Sequence, residues 1–353
     1  MIAQIVKLAG AQSDEAAIRE AAARIARGEL VAFPTETVYG VGTNAEDVGA
    51  LERLYAAKGR PRDKPFAMLV SDTGAARRLA GGELPPLAEK LMRRYWPGPL
   101  TLVVPRADAP PLGLRVSEHP VARALAEWAR VPIAAPSANR SGEEAALTAE
   151  AVLAALGERI DLVLDGGSAP GLEASTVAFV DGPRLRILRE GPIPGAELRE
   201  VAKHTILFVC SGNSCRSPMA KAVCTEAIHE RLRRRLLPPR SPGFRVLSAG
   251  TGTLFEEPAN PAAVAALAEI GMDLSEHRSH PLSLELVEEA DEIYVMTRHH
   301  RETILELKPD ARGRVLLLDP DVEIEDPAGG SADAYRSARD RIALCVRRIV
   351  ERL

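Results

Sequence analysis

The sequence TILFVCSGNSCRSPMAKAV, residues 205–223, predicts the fold of the C-terminal part of the chain. The residues at 205–209 are apolar or β-branched and predict a buried strand, and Pro218 stands where a helix should begin. The loop between them starts at Cys210 and contains Gly212, which lets the backbone curl. A strand, a loop and a helix in this order predict a βαβ unit, with the loop at the carboxyl end of a parallel strand.

The remainder of the C-terminal part continues this alternation. Strands are predicted at 205–209, 245–248, 292–296 and 314–318, and helices at 218–236, 260–270, 283–290, 298–307 and 333–352. We therefore expect a doubly wound parallel sheet with helices on both faces. The N-terminal part shows a capped helix at 13–28, a helix near 87–96 and short strands at 30–33, 100–104, 162–164 and 185–188, which indicates a mixed α/β domain.

Length and composition predict two soluble domains. The chain has 353 residues, 46% hydrophobic and 27% charged, and the segment 190–204, with two prolines and two glycines, separates domains at 1–200 and 201–353. The net charge of -4 argues against nucleic-acid binding by the chain as a whole. Without a signal-type start or an apolar run of about eighteen residues, we expect a cytoplasmic protein with no membrane segment. The four cysteines all follow residue 209 without a Cys-x2-Cys pair, so reactive thiols are expected rather than disulfides or a metal site.

The loop after the strand at 205–209 has the side chains that a thiol needs to attack a phosphate group. A helix N-terminus and the nearby Arg216 both favour the thiolate of Cys210, and Arg216 can fork onto two phosphate oxygens. Ser217 can hydrogen-bond the sulfur, and Asn213 can hold the loop through backbone bonds. The remaining residues of the phosphate cradle are Ser211, Gly212, Ser214 and Cys215. The alternative is a core cysteine with an unrelated surface arginine.

Protonation of the leaving group requires an acid from elsewhere in the chain. One Asp-Pro step, at Asp319, directly follows the strand at 314–318, whereas the other, at Asp326, lies in the loop EDPAGGS before the last helix. Asp326 is therefore the predicted general acid, and a turn-forming role is the alternative.

Residues 205–353 resemble low-molecular-weight protein tyrosine phosphatases. The matching pieces are VCSGNSCRSPMA, SAGT at 248–251, VMT at 295–297 and the Asp-Pro loop. The resemblance implies that Cys210 is the nucleophile through a phosphocysteine, that Arg216 clamps the phosphate, and that Asp326 is general acid and then base, without a cofactor. It also implies that Cys215 can trap the oxidised nucleophile as a disulfide, with simple packing as the alternative.

The substrate expected of this domain is a phosphorylated protein. Ala328 and Gly329 follow Asp-Pro where tyrosine-specific members carry aromatic residues. SGNSCRSPMA and DPAGGS look more like bacterial protein-arginine phosphatases, which have a small hydroxyl residue at the position of Ser214. We therefore expect phosphoarginine in preference to phosphotyrosine, the alternative being that Ser214 is only a small loop residue.

The N-terminal part carries a second group of polar loops. PTETVYGVG at 34–42 supplies hydroxyls, a carboxylate and glycines, and KGRPRDKP at 58–65 concentrates four cations. Such cations can neutralise a polyphosphate or form a solvated basic face. Further pieces are WPGPLT at 96–101, LRV at 114–116, APSANRSG at 135–142, DGG at 165–167, EAST at 173–176 and ILREG at 187–191. Since none is a Walker or dinucleotide loop, the residues themselves indicate only an anionic, phosphorylated ligand.

In the order of these motifs, residues 8–200 resemble threonylcarbamoyl-AMP synthases of the YrdC family. The resemblance implies L-threonine, bicarbonate and ATP as substrates with Mg²⁺, and RNA or proteins of tRNA modification as further partners. Threonine would be held by Thr35, Arg60 and Thr176, and ATP by Lys58, Lys64, Arg115, Ser137, Asn139, Ser141, Ser175 and Arg189. Ser117 replaces the proline expected after Arg-Val, with little expected effect. The alternative is a non-catalytic RNA-binding module that uses the cations at 58–64.

Overall fold

The computed structural model describes residues 3–9, 14–107, 109–171, 173–234, 243–253 and 256–353. Within it the chain divides into two units, Met1–Ala202 and Lys203–Leu353. The division falls next to the domain boundary expected near residue 200.

The N-terminal unit is built on one mixed sheet of ten strands, in the order β1-β8-β2-β3-β7-β4-β6-β5-β9-β10. The strands are β1 (Gln4–Lys7), β2 (Val31–Phe33), β3 (Gly40–Asn44), β4 (Ala67–Leu69), β5 (Leu100–Val104), β6 (Leu112–Arg115), β7 (Ile133–Ala134), β8 (Leu162–Asp165), β9 (Thr176–Asp181) and β10 (Arg184–Arg189). Because β1 pairs with β8 in parallel while β2 pairs with β3 antiparallel, the expected mixed α/β class is confirmed.

Among the described residues of this unit there are seven helices. They are α1 (Glu15–Ala26), α2 (Val48–Lys58), α3 (Thr73–Ala80), α4 (Pro86–Tyr95), α5 (Pro120–Trp128), α6 (Ala149–Leu156) and α7 (Gly195–Val201). Helix α1 buries Ile18 and Ile25 at the spacing expected of an amphipathic helix. Its expected first residue, Ser13, lies outside the described residues.

Helix α7 lies within the segment 190–204 that was expected to separate the two domains. The residues after Pro194 form a helix whose Leu198 is fully buried in the core of the N-terminal unit. Pro194 directly precedes the first turn, where a missing N–H costs nothing, and Leu198 gains from burial. The last part of the segment, from His204, already belongs to the first strand of the C-terminal unit.

The C-terminal unit has a four-stranded parallel sheet in the order β12-β11-β13-β14. Its strands are β11 (His204–Cys210), β12 (Phe244–Gly250), β13 (Glu292–Val295) and β14 (Val315–Leu317). Its helices are α8 (Arg216–Arg233), α9 (Pro261–Ala268), α10 (Leu284–Glu289), α11 (Arg298–Leu307) and α12 (Ala332–Arg352), with a 3-10 turn at Pro309–Gly313.

Alternate residues of β11 enter two separate hydrophobic cores. Phe208 packs with residues of α8, α9 and α12, whereas Leu207 and Val209 pack with residues of α10 and α11. Since successive side chains of a strand point to opposite faces, the sheet has helices on both sides. The doubly wound class is thereby confirmed.

Two element bounds beside the phosphate-binding sequence differ from expectation. Cys210 is the last residue of β11 and not the first of the loop, because its backbone still pairs with Gly250. Helix α8 begins at Arg216, so Pro218 lies inside its first turn. Proline is tolerated there because the first N–H groups of a helix have no partner within the helix.

The longest helix, α12, has 21 residues and is amphipathic. It buries Ile342, Val346 and Ile349 while its arginines and acidic residues alternate with them along the chain. Across the described ranges, no helix combines the length and apolar character needed to span a membrane.

Candidate active sites

Residues 210–217, here called the phosphate loop, surround a buried thiol. The Sγ atom of Cys210 lies 2.9 Å from Ser217 Oγ. Asn213 Nδ2 donates to the same Ser217 oxygen at 2.9 Å, so the hydroxyl proton of Ser217 is available to the sulfur. That proton could otherwise reach only the more distant carbonyl of Ala249, at 3.3 Å. The contact with Ser217 Oγ holds the sulfur at the base of the phosphate loop.

Asn213 also fixes the curvature of the phosphate loop. Its φ of 49° lies in the left-handed region, which asparagine tolerates better than most residues. Its Oδ1 accepts from the backbone N–H of His280 at 2.8 Å, and its carbonyl oxygen is 2.7 Å from His277 Nε2. The loop is therefore supported from the segment before α10.

The end of β12 supports the loop from the other side. Thr251 N–H donates to the carbonyl of Cys210 at 2.9 Å, and Gly252 N–H donates to that of Ser211 at 3.0 Å. A Cβ atom on Gly250 would lie 2.6 Å from the Ser211 carbonyl oxygen and 2.9 Å from the Asn213 nitrogen. Only glycine fits this close approach, which explains the glycine of the SAGT sequence.

Arg216 and Asp326, 110 residues apart, meet at the phosphate loop. Arg216 is 3% exposed; its Nη1 donates to the carbonyl of Ile324 at 2.9 Å, and its Nη2 donates to Ser211 Oγ at 3.3 Å. Nη2 also forms an ion pair with Asp326, whose side chain is 44% exposed. The buried Nε–H has no hydrogen-bond partner among the described residues. The edge formed by Nε and Nη2 is therefore open to an anion that displaces Asp326.

The aspartate of the other Asp-Pro step, Asp319, is buried and paired with an arginine. The Asp319 side chain is fully buried, forms an ion pair with Arg341 and accepts from the backbone N–H of Asp321 at 3.1 Å. The structure thus brings Asp326, and not Asp319, to Arg216.

Ser214 and Cys215 lie together beside Tyr335. The Cys215 thiol is 3.7 Å from Ser214 Oγ and 3.9 Å from the Tyr335 hydroxyl. Burial raises the pKa of Cys215, so this thiol resists ionisation. The resolving role implied for Cys215 stays a prediction.

His300 and Ile324 reach the phosphate loop although sequence reasoning did not single them out. His300 Nε2 lies 3.0 Å from Ser211 Oγ, and Ile324 contributes only its backbone carbonyl. The position of His300, just after the VMT sequence at the carboxyl end of a strand beside β11, was a usable signal. A backbone carbonyl leaves no such signal in the sequence.

The N-terminal unit has a cavity of about 500 Å³. Residues that line it lie in the ranges 33–40, 60–69, 111–117 and 135–137, which include strands β4 and β6. The expected ligand-binding residues on its wall are Thr35, Arg60, Lys64, Arg115, Ser137, Ser175 and Arg189. Lys58, Asn139, Ser141 and Thr176 are not among the residues that line it.

Lys58 connects the sequences KGRPRDKP at 58–65 and APSANRSG at 135–142. Its Nζ donates to the carbonyls of Ser137, at 2.5 Å, and Asn139. Its own carbonyl accepts from the N–H of the exposed Ser141 at 2.8 Å. Burial, with a smaller effect of the Arg60 charge, lowers the pKa of Lys58 to about 8. A buried ammonium that is held only by carbonyls is a cation without its counterion.

Asn139 presents an acceptor beside this lysine. Its Nδ2 donates to the carbonyls of Arg140 and Glu143 at 2.9 and 2.7 Å. Its buried Oδ1 has no hydrogen-bond partner among the described residues. An amide oxygen in this state is available to a donor from a ligand.

Three arginines converge on the cavity. Burial lowers the pKa of Arg189, and the positive charges of Arg115 and Arg60 lower it further. Arg189 donates through Nε and Nη2 to the Ser175 carbonyl at 3.0 and 2.7 Å, which fixes the guanidinium. The repulsion between these cations would be relieved by a multiply charged anion.

Ser117 takes part in the site, contrary to expectation. It is fully buried and donates to Glu36, which also accepts from Arg115 Nη2 at 2.8 Å. Burial alone would raise the pKa of Glu36, but the charge of Arg115 and these hydrogen bonds outweigh it and lower the pKa. A proline at 117 would have no hydroxyl for this contact, so Ser117 orients the carboxylate that holds Arg115.

Thr35 and Thr176 have different environments. Thr35 Oγ1 donates to the Val38 carbonyl at 2.6 Å within its own loop and stays on the cavity wall. Thr176 is fully buried, and its hydroxyl donates to and accepts from the backbone of Ile193 at 2.8 and 3.0 Å. The expected threonine-binding role of Thr176 is therefore not supported, because its side chain joins two backbone segments.

Two family models match the chain in succession. Residues 23–191 match the Sua5/YciO/YrdC model, described as telomere recombination, and residues 205–353 match the model of low molecular weight phosphotyrosine protein phosphatase.

Individual relatives are similar to different shares of the chain. The chain is 35% identical to the threonylcarbamoyl-AMP synthase of Pyrococcus abyssi, over 63% of this chain and 72% of the relative. It is 39% identical to that of Bacillus subtilis over 52% of this chain, and spans 56% of that relative. A crystal structure of P. abyssi Sua5 complexed with L-threonine is similar at 25% identity and a TM-score of 0.52, covering 98% of each chain. The YwlE arginine phosphatase from Geobacillus stearothermophilus is 34% identical over 42% of this chain and 92% of its own, with a TM-score of 0.37.

Proposed function

We propose two activities for this chain, which belongs to the threonylcarbamoyl-AMP synthase family and carries a low-molecular-weight phosphatase domain after the synthase domain. The N-terminal unit makes L-threonylcarbamoyl-AMP from L-threonine, bicarbonate and ATP for the threonylcarbamoyladenosine of tRNA. The C-terminal unit hydrolyses phosphoryl groups from proteins through a phosphocysteine on Cys210. The two domains act in the cytoplasm.

The convergence of cations on one cavity carries the synthase proposal. Lys58 lies behind the cavity wall and, among the residues that the structure describes, forms no ion pair with a carboxylate, while Arg60, Arg115 and Arg189 face a common space. ATP supplies the polyanion that such a cluster lacks. The crystal structure of P. abyssi Sua5 with L-threonine supports threonine as the second substrate.

The proposed reaction needs no covalent intermediate on the enzyme. The threonine amine and bicarbonate form a carbamate, whose oxygen attacks the α-phosphorus of ATP while the bond to pyrophosphate breaks. The protein positions the reactants and neutralises their charge. Thr35 and Arg60 hold threonine. The other residues on the cavity wall hold ATP, together with Lys58 and Asn139 behind the wall.

Mg²⁺ fits this site as a companion of ATP. Asp63 is the carboxylate among the residues that line the cavity. Within the described ranges no group of three or more His, Cys, Asp or Glu side chains is arranged to hold a metal ion. We assign the ion to the ATP phosphates, since Mg²⁺ in nucleotide sites takes phosphate and water ligands with only one or two carboxylates.

Pyrophosphate release by the full chain tests the synthase proposal. We expect release only when L-threonine, bicarbonate and ATP are all present. Lys58→Met should lower the rate about 10²- to 10³-fold, as loss of a preorganised charge contact does. Lys7→Met, at an exposed position on β1, serves as the control and should keep the wild-type rate.

Release that is independent of threonine or bicarbonate would contradict the synthase proposal. Binding of tRNA by the wild type that Lys58→Met weakens, together with no pyrophosphate release by either protein, would favour the RNA-binding alternative.

Lys58 should also give the synthase a pH dependence. Its charged form, which meets the phosphates, is lost as the pH rises through the pKa of about 8. Because kcat/KM reports the ionisation of the free enzyme, kcat/KM for ATP should fall roughly tenfold per pH unit above that value. The residual activity of Lys58→Met should lack this fall. A wild-type profile that stays flat across the same pH range would contradict the role of Lys58.

The open edge of Arg216 carries the phosphatase proposal. The Cys210 thiolate attacks the phosphorus, the bond to the leaving group breaks, and Asp326 gives its proton to that group. Water then attacks the phosphocysteine while Asp326 takes the proton back, and inorganic phosphate leaves. During both steps the Nε and Nη2 groups of Arg216 bind two phosphate oxygens in place of Asp326.

Phosphoarginine is the proposed substrate residue, in preference to phosphotyrosine. Ser214 places a small hydroxyl at the phosphate loop, and Ala328 and Gly329 follow Asp326-Pro327 without an aromatic ring to stack on a phenol. Turnover of matched phosphoarginine and phosphotyrosine proteins by the full chain tests this preference. Activity confined to phosphotyrosine would contradict it.

A further inference from the structure

His300 lies beside the phosphate loop but has no part in the chemistry proposed above. It belongs to the first turn of α11 and is 2% exposed. Its Nε2 lies 3.0 Å from Ser211 Oγ, and its Nδ1 lies 2.9 Å from the hydroxyl of Thr297, the N-cap of the same helix. Both ring nitrogens are thus within hydrogen-bond distance of hydroxyl groups.

The position of Arg216 favours one direction of these hydrogen bonds. Arg216 can only donate, so Ser211 Oγ accepts from Nη2 and its own proton is available to His300. Nε2 of His300 then accepts, which requires the ring proton on Nδ1, where it can be donated to Thr297. The hydrogen bonds then run in one direction, from Arg216 to Ser211, from Ser211 to His300 and from His300 to Thr297. Hydrogen bonds in such a chain reinforce one another.

The surroundings of His300 keep the imidazole neutral. Burial has the largest effect on its pKa, and the charges of Arg216 and His299 act in the same direction, whereas Asp326 and Glu323 oppose them. The result is a pKa of about 4. At neutral pH the ring is therefore able to accept a hydrogen bond.

We propose that His300 is a positioning residue of the phosphatase site: as a neutral imidazole protonated on Nδ1, it holds the Ser211 hydroxyl and, through it, the guanidinium of Arg216. The inference rests on the phosphatase function proposed above. Ile324 holds Nη1 and Ser211 holds Nη2, so the two contacts fix the plane of the guanidinium. The exposed Asp326 can then leave without loss of the orientation that receives a phosphate group.

Binding of inorganic phosphate tests this role without dependence on turnover. We would measure it by calorimetry on the full chain carrying Cys210→Ser, with further variants in that background. His300→Ala should weaken phosphate binding about 3- to 10-fold, the worth of one hydrogen bond between neutral groups. His300→Gln should bind phosphate nearly as tightly as the parent does, because the glutamine amide oxygen can accept from Ser211. His299→Ala, at an exposed position on the same helix, should bind phosphate as the parent does.

A double-mutant cycle separates positioning from general stability. Ser211→Ala and His300→Ala should each weaken phosphate binding, and the double variant should bind about as weakly as either alone, because both changes break one chain. In the parent protein, ¹⁵N NMR should show the His300 proton on Nδ1. The proposal is overturned if the two losses multiply, if the proton is on Nε2, or if His300→Ala lowers the melting temperature with phosphate binding unchanged. Absence of turnover that depends on Cys210 in the wild type would refute the phosphatase function instead.

Discussion

Replacement of Cys210 by serine should abolish phosphatase turnover, with a loss of about 10⁴-fold or more, as found when the nucleophile of a covalent mechanism is removed. The serine hydroxyl is a far weaker nucleophile than a thiolate at neutral pH. The substitution changes little else, since the side chain keeps its size and Ser217 remains as a hydrogen-bond partner. Hydrolysis of p-nitrophenyl phosphate by the full chain measures the loss.

Cys224→Ala is the matched control for this experiment. Cys224 is also fully buried, but it lies within α8, and burial raises its pKa to about 12, so it carries no thiolate at neutral pH. Turnover should stay close to that of the wild type. If Cys224→Ala abolished turnover, or if Cys210→Ser retained it, Cys210 would not be the nucleophile.

Asp326→Asn should slow hydrolysis of phosphoarginine proteins about 10²- to 10⁴-fold, the usual contribution of a general acid. A guanidine leaves only after it gains a proton, whereas p-nitrophenolate leaves as an anion. The effect on p-nitrophenyl phosphate should therefore be much smaller. The ratio of the two effects, measured on one preparation, identifies the acid.

Asp319→Asn provides the comparison between the two Asp-Pro steps. Asp319 forms an ion pair with Arg341 and not with Arg216. Its replacement should therefore lower the melting temperature but leave the rate of hydrolysis per folded molecule unchanged. If Asp319→Asn slowed phosphoarginine hydrolysis selectively and Asp326→Asn did not, the assignment of the acid would be reversed.

The regular elements were largely predictable because their signals are local. The strand at 100–104 and the helix at 298–307 were predicted to the residue, since hydrophobic period and flanking proline or threonine mark their ends. Helix α7 was not predicted, because the segment 190–204 that contains it has two prolines and two glycines and resembles a linker. Only the burial of Leu198 in the core shows why these residues fold.

The site residues were predictable only where a motif marks them. Cys210, Arg216 and Asp326 stand in recognisable sequences, and the structure brings Arg216 and Asp326 together. His300 became visible only through its tertiary contact. The motif of Thr176 gives no sign that the Ile193 backbone engages its hydroxyl, so this contact too became visible only in the structure.

We conclude that one chain holds two separate active sites. Both activities should be measured on the same preparations of wild type, Lys58→Met and Cys210→Ser: pyrophosphate release dependent on threonine and bicarbonate, and hydrolysis of p-nitrophenyl phosphate. We predict that Lys58→Met loses only the first activity and Cys210→Ser only the second. Loss of both activities in either folded variant, or of neither in both variants, would contradict the claim.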